Sequence, residues 1–402
     1  RAHNTHFKIN LKLYLSSTVN VTVLKPFILA KSKKIDFEEL NFFSEFPKDG
    51  KNALLDLNTM NLTIYGVSSV KISSVRDVIA FPTNNEVVVR KGRDFSMGGK
   101  LLAGNAGRFR INSEAIEFNY EEFKLYFQDA TTQIWIPNNR GEYNQKGNLV
   151  LEPIESEITI SNGELLVDTS INKSGIWQED YPQYPIIRSY DRSKVYYDDI
   201  NILGGVYDRN KFFFDIDPFE IDSLDTYDRT SLSFPGVFNS GDIFPTFEQE
   251  LRVQEDNILG FSILIAEDGL PLYVDKGYFE GNNHLSLDKS GLTGEGNFTY
   301  LTSITESKDY IFYLDSMNTN ALSFDLIKKA DGVQFPQAKA LNVYEHWEPY
   351  NDVLEIKNNE NAFAVYDDKL SLDGHLFLRP EGLKGGGLIN LDDSKLNSEL
   401  YT

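Results

Sequence analysis

Asp215, Asp217, Glu220 and Asp222, followed by Asp225 and Asp228, bring carboxylates together at short spacing. A hard cation such as Ca2+ needs several oxygen ligands from one loop, and this stretch offers them. It lacks the glycine and the ligand spacing of an EF-hand. Phe212, Phe214 and Ile216 mark a strand running into Pro218, so a solvated, proline-broken turn is the plainer reading and Ca2+ the alternative. No other cofactor is expected.

Five histidines, His3, His6, His284, His346 and His375, leave little material for a transition-metal site. His284 and His375 occupy corresponding places in two similar stretches, and no second ligand recurs beside them, which points to a structural role. Without cysteine there is no thiolate nucleophile and no disulfide. No Gly-x-Ser-x-Gly elbow, Walker loop or His-Glu-x-x-His helix occurs. Glycoside hydrolysis is set by carboxylate separation in space, which many pairs drawn from 60 acids would satisfy on paper. Trp177, Trp347 and Tyr350, with Trp135 and Tyr184, are candidates for a face that stacks on sugars or binds protein; the competing reading is core.

The elements that must position these groups read as strands. Period-two alternation recurs at Phe7–Leu13, Asn61–Tyr65, Glu157–Ile160, Leu285–Leu287 and Leu376–Leu378, and aromatics reach 13% of the chain. Turn signals at Asn162-Gly163, Glu267-Asp268-Gly269, Asp331-Gly332 and Asp373-Gly374 suggest hairpin corners and antiparallel sheets. Short helical turns are expected only at Asp36–Phe43 and Glu121–Phe123. The expected class is all-β, built of repeated antiparallel modules, as sandwiches or a stacked solenoid.

Two stretches match at a constant offset of 91 residues, the separation of His284 and His375. Phe244-Pro245 corresponds to Phe335-Pro336, Gly291-Leu-x-Gly-x-Gly296 to Gly382-Leu-x-Gly-x-Gly387, and Ser303, Ser307 and Tyr310 to Ser394, Ser398 and Tyr401. Repetition of this kind stacks modules. Strand-like residues follow the glycines, so a tight turn with close strand packing is expected rather than a phosphate loop. Expected segments are 1–70, 71–160, 161–240, 241–331 and 332–402, the last an incomplete copy, which makes the sequence read as a fragment.

The net charge of −21 argues against wrapping nucleic acid. Residues 1 to 35 are basic, with Arg1, Lys8, Lys12, Lys25, Lys31, Lys33 and Lys34 and no acid, and read as a solvated strand pair or an arm for an acidic partner. No run of about 18 apolar residues is present, so no helix of this segment spans a membrane.

Residues 98 to 127, with Asn172–Gly175, Tyr184–Ile187, Val195–Asp199, Gly205–Tyr207, Asp217–Phe219, Phe244-Pro245 and the glycine repeats, resemble in this order a class of very large, repetitive, β-rich proteins of Bacteroidota. The resemblance covers residues 85 to 402. It implies export, to the periplasm, outer membrane or cell surface, and brings no catalytic residue. The expected role is a non-catalytic scaffold or interaction segment whose partners are other proteins or other modules of its own chain. The alternatives are a lipid-conducting β bridge of the periplasm and a glycan-binding or carbohydrate-active module.

Overall fold

The computed structural model describes residues 11–15, 40–44, 53–56, 58–138, 140–145, 147, 149–173, 180–328 and 335–401. These residues form strands and two single-turn 3-10 segments, Asn105–Gly107 and Pro349–Asn351, with no α-helix. The class is all-β. Every register resolved between strands is antiparallel except that of Leu11–Leu15 beside Leu40–Ser44, which is parallel. Alternation sets the two faces: along Phe95–Ala103, Phe95, Met97, Leu101 and Ala103 are buried while Ser96, Lys100 and Leu102 face outward.

The chain forms two compact units, residues 1–195 with 216–234 and residues 196–215 with 235–402. One seven-strand module recurs three times, once in the first unit and twice in the second. Its first copy comprises Ala53–Asp56, Asn61–Tyr65, Val67–Ser73, Val78–Pro82, Glu86–Val89, Phe95–Ala103 and Phe109–Asn119. The second comprises Phe247–Val253, Leu259–Leu264, Leu270–Leu272, Gly277–Phe279, His284–Asp288, Gly291–Tyr300 and Ser303–Phe312. In the third, Ala338–Glu348, Val353–Asn358 and Phe363–Val365 are followed by Leu370–Arg379, which fuses the fourth and fifth strands, then Gly382–Leu391 and Ser394–Tyr401.

The copies agree residue by residue in their pairing. The second strand meets the fifth through four consecutive pairs, starting at Leu62 with Val89, Phe261 with Leu287 and Leu354 with Leu378. The third meets the fourth at Val70 with Ala80, Leu270 with Phe279 and Phe363 with Leu372. Burial is kept while size changes: Ala80, Phe279 and Leu372 are all buried, as are Val87, Leu285 and Leu376. Beyond the seventh strand, Lys124–Pro137 joins Phe109–Asn119 to Ile158–Leu166 in the first unit. Met317–Leu326 joins Ser303–Phe312 to Ala338–Glu348 in the same way in the second.

A bulge fixes the module. The sixth and seventh strands shift register between Met97 and Gly99, between Gly294 and Gly296, and between Gly385 and Gly387. The second glycine of each step stands opposite a serine, Ser113, Ser307 or Ser398. Ser113 Oγ donates to the Gln128 carbonyl at 2.6 Å and accepts from the Ala115 N–H at 3.0 Å; Ser307 Oγ likewise accepts from the Asp309 N–H at 3.2 Å but donates to the Asp309 carboxylate at 2.9 Å. The hydroxyl thereby bonds a backbone N–H two residues further along its own strand.

Several expectations are corrected. Leu40–Ser44 of the expected helical turn is a strand paired with Val67–Ser73, because Leu40 and Phe42 bury on one face at period two. Glu121–Phe123 is a hairpin turn, with Phe123 at φ 56. Asn162-Gly163 lies inside Ile158–Leu166 rather than at a corner, where Gly163 leaves room for the Phe127 ring. Asp373-Gly374 lies inside Leu370–Arg379, against Gly387. Asp331-Gly332, His3, His6 and the basic residues of the first ten and of 16 to 39 lie outside the described residues.

A methyl group at Gly99 would stand 2.1 Å from the carbonyl oxygen of Phe81, a backbone atom held by the sheet, and φ there is 147°. Gly99→Ala is expected to cost about 3 kcal/mol or more, whereas Gly141→Ala, with φ 60 and open space, costs about 1 kcal/mol. Urea denaturation of the two variants measures the difference, and equal midpoints would refute the close approach.

Candidate functional site

Two of the four acids proposed for Ca2+ are engaged by arginines. Asp217 pairs with Arg192 at 3.0 Å, and Glu220 is bonded to Arg188, which also reaches Glu164 at 3.2 Å. Phe212–Ile216 is a strand, as expected, with Phe212, Phe214 and Ile216 buried. Among the described residues no group of three histidine or acidic side chains is arranged to hold a metal ion.

The aromatic candidates separate likewise. Trp347 is fully buried, with ring centroids 4.7 Å from Phe298 and 5.3 Å from both Tyr273 and Tyr300, so it is core and no sugar reaches its face. Tyr350 is half-exposed at the edge of that cluster, 6.1 Å from Tyr273. Trp177 lies outside the described residues. Trp135 lies under the Arg110 guanidinium, 3.7 Å from the ring centroid, which uses its face within the protein. His284 and His375 hold the same register position on the fifth strand, where the first copy has Glu86. No ligand chemistry is common to the three.

Two buried polar groupings were not read from the sequence. In the first unit Arg76, with no exposed side-chain surface, pairs with Asp168 through Nε at 2.8 Å. Its Nη1 donates to the Tyr184 carbonyl at 3.1 Å and its Nη2 to that of Tyr181 at 2.9 Å. Asp168 also accepts from the Asn172 amide at 3.1 Å. A planar guanidinium suits this work because its fork reaches several acceptors at once. Arg76 thereby ties the turn between the third and fourth strands to the segment that follows Ile158–Leu166.

In the second unit a polar seam lies where the second module copy is joined to the third. Glu345, on Ala338–Glu348, is fully buried, and both carboxyl oxygens approach Thr305 Oγ1 of Ser303–Phe312, at 2.9 and 3.0 Å. Thr305, Ser307 and Thr319 are at most 2% exposed. Thr319 Oγ1 lies 2.5 Å from Ser307 Oγ and 2.8 Å from Asp309 Oδ1. Burial raises the Glu345 carboxyl to about 8, against a small opposing effect of the Thr305 bond. Burial also works against Asp309, but hydrogen bonds from Asn320, Thr319 and Ser307 prevail and lower it. The seam can hold a proton, and its burial shuts out a substrate. One signal for it was present in the sequence: alternation through Val343, Glu345 and Trp347 puts an acid on an apolar face.

Removing one member of a buried ion pair strands the other. Arg76→Met is therefore expected to lower stability by about 3 to 5 kcal/mol. Arg209→Met, which breaks an exposed pair with Asp198, changes it by less than about 1 kcal/mol. Denaturant unfolding monitored by tryptophan fluorescence checks both, and a mild Arg76 variant would show that the clamp holds nothing. No helix of the described residues is long and apolar enough to cross a membrane. No protein-family model, no curated protein and no solved structure matches this chain.

Proposed function

We propose that this chain is a non-catalytic scaffold or interaction segment of a large exported or cell-envelope protein, in which repeated β modules space and present surface. The supporting observation is what the three copies keep. They keep strand registers, buried positions and the glycine-serine bulge, all of which serve the fold. They do not keep outward chemistry: Ile79, Tyr278 and Ser371 share one register position, and Glu86, His284 and His375 another. Modules selected for a common reaction would repeat a reactive group. Export follows the resemblance of residues 85 to 402 to large envelope proteins of Bacteroidota, and the partners are other proteins or neighbouring modules.

Native mass spectrometry of the protein isolated gently from its own cells tests the proposal. The expected result is a lipid-free mass, alone or with a protein partner. Stoichiometric bound lipid would replace the scaffold by a lipid-conducting bridge, and a bound glycan by a carbohydrate-binding module.

A further inference from the structure

The first unit fills the three positions that correspond to Thr319, Glu345 and Thr305 without a polar side chain. By the pairing of the linking strands, Phe127 stands where Thr319 does, Gly163 where Glu345 does, and Ile111 where Thr305 does. There the Phe127 ring lies over Gly163, so close that a methyl group on the glycine would be 2.5 Å from the ring. The second unit replaces phenylalanine by threonine, and the space is taken by a carboxyl that reaches across the linking strand to the neighbouring module copy. The fold does not need this acid, since the first unit builds the corresponding joint with phenylalanine, glycine and isoleucine at these positions.

We propose that Glu345 makes the joint between the second and third module copies sensitive to pH, closed while its carboxyl carries a proton and loosened when the proton is lost. A protonated carboxyl donates through one oxygen to Thr305 Oγ and accepts the Thr305 hydroxyl through the other, a closed pair that fits two contacts of 2.9 and 3.0 Å. An ionised carboxyl can only accept, and among the described residues no cation is paired with it. On its own strand it is flanked by Val343 and Trp347, and its cross-strand neighbours are Thr319 and Ile356.

Among the described residues the other titratable groups on this side are Asp309 and Tyr310, both on Ser303–Phe312. Asp309 is held ionised by its hydrogen bonds. Tyr310 is kept neutral by burial and by the nearby Glu345, and its hydroxyl donates to the Thr305 carbonyl at 2.8 Å. Between pH 5 and pH 8, on the order of the range set by the two Glu345 values, Glu345 alone changes charge in the seam. His346 and Tyr344 lie on the opposite face of the strand.

Unfolded, Glu345 takes its ordinary value of 4.5; folded, it sits at about 8. The folded state therefore binds the extra proton, and the contribution to stability is complete below 4.5 and is lost as pH rises through about 8. Glu345→Gln keeps the size and hydrogen bonding of the protonated form and cannot ionise. The unfolding constant of the natural protein, divided by that of the variant, is expected to rise about tenfold per pH unit through this window. Groups common to both proteins cancel. A ratio that stays flat from pH 5 to pH 8 would overturn the proposal.

Hydrogen exchange on the natural protein, corrected for intrinsic rates, locates the effect without any variant. Going from pH 5 to pH 8, protection should fall in Ser303–Phe312, Met317–Leu326 and Ala338–Glu348 and hold in Phe109–Asn119 and Lys124–Pro137. A uniform loss in both sets, or none in the first, would also overturn it.

Discussion

The structure depends on a close approach between backbones. In the first two copies the sixth strand changes neighbours along one edge, in the first from the fifth strand at Phe95 and Ser96 to the fourth at Gly99 to Leu102; in the third copy the fused strand Leu370–Arg379 runs beside it throughout. At this level the neighbouring backbone stands where a Cβ would, so Gly99 has the Phe81 carbonyl oxygen and Gly387 the Asp373 carbonyl oxygen in that place. The second copy solves the crossing differently. The Asn283 side chain sits over Gly296, donating to the Asn297 carbonyl at 2.7 Å and accepting from its N–H at 3.0 Å. An amide side chain there does the work of a paired backbone. The bulge lies on the other edge, and in the first copy the opposing Ser113 donates to a carbonyl of the linking strand.

This constraint explains what was legible. Class was legible because half-buried strands impose period two on their residues, and the match at an offset of 91 was legible because two copies share His, Gly-Leu-x-Gly-x-Gly and Ser at fixed spacing. The copy in the first unit shares little beyond Gly99 and Ser113, because only those positions are dictated by backbone geometry. Its core positions require burial, which alanine, phenylalanine and leucine all meet when neighbours compensate. Gly98-Gly99 was visible, but as one diglycine in a chain of 28 glycines it does not declare its partner serine.

Turn chemistry misled for a related reason. Asn-Gly and Asp-Gly usually mark hairpin corners because they tolerate positive φ. Gly163 and Gly374 instead provide absent side chains inside strands, one beneath the Phe127 ring and the other against Gly387. The sequence signal for a glycine that turns the chain is the same as for one that admits a neighbour. Buried polar partners are hidden for a different reason: Arg76 and Asp168 are 92 residues apart, and Thr305 and Glu345 are 40 apart. Only the pairing of strands brings each set together.

The joints between modules follow different rules from the modules themselves. Inside a copy, side chains vary only as far as burial and the glycine crossing permit. At the linking strand the same three positions hold phenylalanine, glycine and isoleucine in one unit and threonine, glutamate and threonine in the other. A buried acid is costly unless it keeps its proton, and an alternative with phenylalanine, glycine and isoleucine at the same positions occurs within this chain. Stability of the module therefore does not account for Glu345. What distinguishes the polar joint is its response, because a carboxyl that is closed against threonine in one protonation state and an unbalanced charge in the other makes cohesion between two copies depend on the surrounding solution.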